Sequence, residues 1–85
     1  MKEHAEKELN RLKEPIKHVK AKTKKAEDLI MMAKSYYSDA GHFFRKEMYV
    51  ESFEASIIAW AYLDSGLRLG IISVPEKYRE IFTIG

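Results

Sequence analysis

Residues 26–44 read AEDLIMMAKSYYSDAGHFF. Small and apolar residues recur in this stretch at alternating intervals of three and four, the spacing of helices that pack lengthwise against other helices. The same spacing extends back toward the N-terminus and resumes near residue 50. The ladder consists of Ala5, Leu9, Leu12, Ile16, Val19, Thr23, Ala26, Ile30, Ala33, Tyr37, Ala40 and Phe44, and then Val50, Phe53, Ile57, Trp60, Asp64, Leu67 and Ile71. This pattern predicts an all-α fold.

A second stripe lies beside the ladder on both long helical segments. A helix that is apolar over such a width must contact two partners at once. The members of the second stripe are Leu29, Met32, Tyr36, Asp39 and Phe43 in the first segment, and Ile58, Tyr62, Ser65 and Leu69 in the next.

We expect one domain over residues 1–85, formed by an antiparallel three-helix bundle with a short C-terminal helix. Thr23 is a favourable N-cap, and Pro15, which lacks a backbone donor, should kink the first helix or mark its restart. The short joint before residue 49 makes the two long helices an antiparallel hairpin. The tail, which opens with a capping-box pattern, either docks across the bundle or is a partner-binding arm. The expected helices span about 2–19, 23–46, 49–71 and 74–82.

The position of the first helix has two solutions, because the ladder keeps its phase through residues 20–23. The helix can fold back to complete a monomeric bundle. Alternatively, it continues into the next helix, and a homodimer of extended hairpins covers its apolar stripe. We favour the bundle.

Composition is typical of a helical globular domain, with 46% hydrophobic and 33% charged residues. Cysteine is absent, which excludes disulfides and fits a reducing compartment. The N-terminal residues are charged, and no run approaches the ~20 apolar residues of a membrane span. We therefore expect a cytoplasmic protein that does not associate with membranes.

Positive charge is concentrated in residues 13–25, although the formal net charge of the chain is only +2. This basic patch is interpreted as a solvated helix end, as a salt-dependent nucleic-acid surface, or as a site for an acidic protein partner. It consists of Lys13, Lys17, Lys20, Lys22, Lys24 and Lys25.

Two aspartates are the main candidates for a binding site, because Asp39 and Asp64 stand on stripes whose other members are mostly apolar. A partly buried carboxylate requires a partner. Arg68 lies one turn beyond Asp64, and tyrosine hydroxyls lie near Asp39. The alternative is that both carboxylates make structural contacts that fix the register of the helices. The candidate binding residues are Tyr36, Asp39, Trp60, Asp64 and Arg68.

Signals for catalysis are weak. Asp39, His42 and Glu54 could approach one another across the hairpin, but the duplicated Glu-x-x-His arrangement of bundle metal sites is absent. We find no phosphate loop and no nucleophile elbow, and we expect no metal, cofactor or catalytic residue. Gly66 and Gly70 should allow close approach of another segment to the third helix.

Residues 36–44, YYSDAGHFF, and 59–70, AWAYLDSGLRLG, resemble the two signatures of a small archaeal family, domain of unknown function 357. The resemblance extends over about residues 26–72. It implies a cytoplasmic, archaeal three-helix bundle with no established activity. The chain departs from the family pattern at Ile58, Tyr62 and Ser65, where Tyr, Trp and Ala are usual.

The hypothesis that follows is a non-catalytic protein-interaction or scaffold module with an unknown protein partner, either a monomer or a homodimer. The alternative is RNA binding through the basic patch.

Overall fold

A computed structural model describes residues 1–82, and these residues are mostly α-helical. Among them, no helix is long and apolar enough to cross a lipid bilayer. The end of the expected domain, residues 83–85, lies outside the described residues. The elements in chain order are α1 (Lys2–Lys13), α2 (Pro15–His18), β1 (Lys20–Ala21), α3 (Lys24–Arg45), α4 (Tyr49–Arg68), β2 (Ile72–Ser73) and a 3₁₀ helix (Glu76–Ile81).

The first helical segment is divided in two at Pro15, so this residue marks a restart of the helix, the second of the two outcomes expected of it. Pro15 cannot donate a backbone hydrogen bond, so α1 ends at Lys13 and proline occupies the first position of the short α2. The chain is extended at Val19, with ψ of 144°. This break ends the continuous ladder before α3 begins.

A short antiparallel ladder joins the α2–α3 connection to the segment after α4. Lys20 lies opposite Ser73, and Ala21 lies opposite Ile72. The Lys22 amide extends the pairing by donating to the Ile71 carbonyl at 2.7 Å. The chain therefore folds back, and α1 packs chiefly on α4. The sequence did not predict these strands, because two residues are too few for a strand pattern to be visible.

The ends of α3 follow from local hydrogen bonds. The Thr23 side chain accepts from the Ala26 amide at 3.1 Å, so it caps the first turn. At the other end, Glu47 adopts a left-handed conformation with φ of 61°. The Met48 amide then donates to the Phe43 carbonyl at 2.9 Å. This is a Schellman motif, and it reverses the chain into α4.

Helix α4 stops at Arg68, three residues earlier than expected, because Gly70 takes φ of 74°. The Ile71 amide donates to the Gly66 carbonyl at 3.0 Å, which makes a second Schellman motif. Gly66 itself permits close packing, since a Cβ atom there would overlap the side chain of Ile72. Gly66 thus allows the close approach expected of it, whereas Gly70 terminates the helix.

The core lies between the three long helices and the tail. Tyr37 links α3 to α1 by donating from its hydroxyl to the Leu9 carbonyl at 2.8 Å. The Ser52 hydroxyl donates to the Ala40 carbonyl at 2.8 Å and links α4 to α3. The buried cluster comprises Leu12, Ile16, Ala26, Ile30, Ala33, Ala59, Leu63, Ile72 and Phe82.

The tail is docked on the helices, and its helical part is 3₁₀ where an ordinary short helix was expected. The Trp60 indole N–H donates to the Ile81 carbonyl at 2.9 Å. The Phe82 ring stacks on Trp60 with centroids 6.3 Å apart, and only 3% of Phe82 is exposed. These contacts favour the docked alternative over the free arm.

Candidate interaction surfaces

Helix α4 is apolar around most of its circumference, but α1 and α3 cover only part of it. Ile57 is 36% exposed and Ile58 is 39% exposed. Together with Ala61, Tyr62 and Ser65 they surround an open, shallow hollow of about 330 Å³. We call these five residues the outer α4 face.

The ladder is wrong about two α4 residues. It predicts that Val50 and Ile57 are buried, yet they are 50% and 36% exposed. Because apolar residues occur on every side of α4, more than one ladder can be drawn through it. The side that packs in the core is the one with the smaller residues Ser52, Ala55, Ser56 and Ala59.

An acidic groove adjoins the outer α4 face, and Ile58 belongs to both. Tyr36, which lines the groove, stacks its ring on Tyr62 of the outer α4 face, with centroids 5.8 Å apart. Three carboxylates line the groove, so it favours cationic groups. Its lining residues are Tyr36, Asp39, Phe43, Glu51, Glu54, Ala55 and Ile58.

The two candidate aspartates occupy different environments. Asp64 is only 8% exposed, and its Oδ2 accepts from Arg68 Nε at 2.8 Å. Asp39 is exposed, so the expectation that it is partly buried is wrong. The second stripe of α3 forms one wall of an open groove, and its carboxylate is therefore solvated.

The five candidate binding residues do not form one site. Tyr36 and Asp39 line the acidic groove. Trp60 contacts the tail, and the Arg11 guanidinium lies 5.9 Å from its ring centroid. Asp64 and Arg68 are paired with each other.

Glu8 is a buried carboxylate that sequence reasoning missed. It is 7% exposed, and its Oε2 lies 3.4 Å from Arg11 Nη1. The buried line of α1 runs through Ala5, Glu8 and Leu12, whereas the ladder assigned Leu9 to it. The available signal was Arg11, a cation one turn beyond Glu8.

All six lysines of the basic patch are exposed. The fold adds Lys34 of α3, which with Lys13 and Lys17 borders an open hollow of about 460 Å³. Tyr37 and Ser38 also line this hollow, which we call the lysine hollow. The basic surface is therefore wider than residues 13–25.

The fold also brings aromatic rings to the basic patch. His18 stacks on Tyr78 of the tail with centroids 5.6 Å apart and an interplanar angle of 14°. Lys77 Nζ lies 5.1 Å from the Tyr78 centroid. Because these residues are about 60 positions apart in sequence, only the docked tail reveals the arrangement.

The structure does not bring together all three residues that were considered as metal ligands. Asp39 and Glu54 both line the acidic groove, but His42 is not among its lining residues. Within residues 1–82, no three His, Asp or Glu side chains are grouped closely enough to hold a metal ion.

Comparison with known proteins gives two matches. The model of a family described as "Protein of unknown function (DUF357)" matches residues 2–72, which confirms the resemblance of residues 36–44 and 59–70. The structure is similar to the crystal structure of protein AF1782 from Archaeoglobus fulgidus, which is assigned to the same family. The TM-score is 0.77 and the identity 28%, over 87% of this chain and 92% of that chain. Among curated proteins, none matches.

Proposed function

The chain belongs to the DUF357 family of proteins of unknown function, and we propose that it is a non-catalytic protein-interaction module. In this proposal the chain is an antiparallel three-helix bundle that acts in the archaeal cytoplasm. Its contact surface is the outer α4 face.

The observation that carries the proposal is the exposure of Ile57 and Ile58 at the middle of α4. An amphipathic surface helix normally presents polar residues to solvent, and a helix that is apolar all round is normally buried. Ala61 and Ser65 follow on the same exposed side, and their small side chains let another helix approach closely. A protein partner would bury these apolar groups, which stabilises a complex by about 25 cal/mol for each Å² removed from water.

A retention experiment with matched variants tests the proposal. The unmodified chain, Ala61→Glu and Met31→Glu are immobilised and exposed to a lysate of the source organism, with and without nuclease. Met31 is the control, because it is an apolar residue that is 61% exposed on α3. We expect the unmodified chain to retain a lysate protein with or without nuclease. Met31→Glu should retain the same protein, and Ala61→Glu should not. Equal retention by all three chains would refute the outer α4 face as the contact surface.

RNA binding is a second candidate, supported by the stacked His18 and Tyr78 rings beside the lysines. Phosphate groups favour a lysine-rich surface, and unpaired bases stack on aromatic rings. Lys17 lines the lysine hollow, and the next residue in the chain, His18, belongs to the ring pair.

The second candidate is tested by the binding of a short fluorescent single-stranded RNA, measured by anisotropy. Lys34→Glu should weaken binding and flatten its dependence on salt, because a phosphate contact is lost. Lys46→Glu is the control, since Lys46 is an exposed lysine just beyond the C-terminal end of α3. Equal effects of both variants would leave only nonspecific attraction.

A further inference from the structure

We propose that a second copy of this chain covers the outer α4 face, with the two α4 helices antiparallel and a two-fold axis at Ala61. This inference rests on the proposed function, because it names the partner of the same surface. The contact is isologous, so each copy contributes the same residues.

The placement of charge along α4 favours an antiparallel pair. Glu54 and Arg68 each lie seven residues from Ala61, on opposite sides. Seven residues make nearly two helical turns, so the three positions lie close to one line along the helix. In an antiparallel pair centred on Ala61, Glu54 of each copy faces Arg68 of the other. A parallel pair in register would place Glu54 against Glu54, which is unfavourable.

The state of Arg68 supports this arrangement. Its Nε donates to Asp64 Oδ2 at 2.8 Å, so the guanidinium is oriented within its own chain. Its side chain is nevertheless 53% exposed to solvent. An oriented arginine loses less conformational entropy when a second carboxylate approaches.

The shape of the outer α4 face favours the same arrangement. One turn from Ala61 toward the N-terminus the exposed residue is the bulky Ile57, and one turn toward the C-terminus it is the small Ser65. An antiparallel pair centred on Ala61 brings Ile57 of each copy against Ser65 of the other. At the axis itself, two alanines meet, and this permits close approach of the two helices.

The chain contains no cysteine, so a single introduced thiol tests the axis directly. In Ala61→Cys the two thiols would meet at the two-fold axis, within reach of the 4.4 to 6.8 Å Cα separation of disulfides. Ser38→Cys is the matched control, because Ser38 is an exposed small residue on α3 that lines the lysine hollow. Both variants are oxidised at equal concentration after circular dichroism has confirmed their helicity.

We expect at least a tenfold faster formation of disulfide-linked dimer in Ala61→Cys than in Ser38→Cys. Equal rates would overturn the second copy as the partner. The retention experiment then shows whether the dimer alone has failed or the proposed function as well. If the oxidation rates are equal and a lysate protein is retained by the unmodified chain but not by Ala61→Glu, the proposed function stands with a different partner. If the rates are equal and no such protein is retained, both the dimer and the proposed function are overturned.

Discussion

Gly66 packs so closely against Ile72 that a Cβ atom at position 66 would overlap the isoleucine side chain. The contact joins α4 to β2 and thereby fixes the turn that ends α4. Gly66→Ala gains about 1 kcal/mol of helix propensity but introduces a clash of about 1 to 3 kcal/mol. We expect a net loss of about 1 kcal/mol in the free energy of unfolding, measured by urea denaturation.

The control for this prediction is Gly41→Ala in α3. A Cβ atom there would meet only the end of the flexible Arg45 side chain, at 3.4 Å. This variant should be more stable than the unmodified chain, by up to about 1 kcal/mol. Similar stabilisation by both alanines would contradict the close contact of Gly66 with Ile72.

Glu47 is strained where Gly70 is not, although both occupy the same position in a Schellman motif. Glu47 has φ of 61° and Gly70 has φ of 74°. A left-handed conformation costs a residue with a Cβ atom about 1 kcal/mol. Glu47→Gly should therefore raise the thermal midpoint, with a gain of about 0.5 to 1 kcal/mol. Gly70→Ala should lower it, and a fall in both variants would argue against the left-handed turn at Glu47.

The two aspartates should respond differently to loss of charge. Asp64→Asn weakens a buried charge-assisted hydrogen bond to Arg68, so we expect the free energy of unfolding to fall by about 1 to 2 kcal/mol. Asp39→Asn alters an exposed group and should change the free energy of unfolding by less than about 0.5 kcal/mol. Chemical denaturation measures both values. Equal values for the two variants would mean that the Asp64–Arg68 pair does not stabilise the fold.

Tyr37 should make the stability depend on alkaline pH. Burial raises the pKa of its hydroxyl above the ordinary value of 10.0, and the negative charge of Glu14 adds to the effect. Above pH 10.0 the unfolded chain loses this proton while the folded chain retains it, so the unfolded state binds fewer protons and stability falls. The contribution is complete below that pH and is lost as pH rises through the folded pKa.

Tyr37→Phe provides the comparison for the pH dependence. It lacks the hydrogen bond to Leu9 and should be about 1 kcal/mol less stable at neutral pH. Its stability should also fall less steeply above pH 10 than that of the unmodified chain. Parallel pH profiles for the two chains would refute the assignment to Tyr37.

The sequence allowed much of the helical framework to be predicted, because the relevant signals are local. Thr23 caps α3, and Pro15 separates two helical segments in a manner that follows from its missing amide proton. The early end of α4 was missed because Gly70 was interpreted as a packing residue. The β1–β2 ladder was missed because it depends on contact between distant segments.

The surfaces were less predictable than the helices. The sequence indicated that α4 has more apolar residues than one partner can cover, but not which side remains exposed. That choice depends on the small residues Ser52, Ala55 and Ser56, which let α4 pack closely in the core. The stacking of His18 on Tyr78 likewise depends on where the tail docks.

Sedimentation equilibrium over a wide range of concentration tests whether the outer α4 face binds a second copy. We expect the unmodified chain, of 9.9 kDa, to reach twice its monomer mass. We expect Ala61→Glu to remain a monomer with unchanged helicity, because two carboxylates would meet at the axis. A monomer for the unmodified chain at every concentration, or a dimer that Ala61→Glu leaves intact, would contradict binding of a second copy at this face.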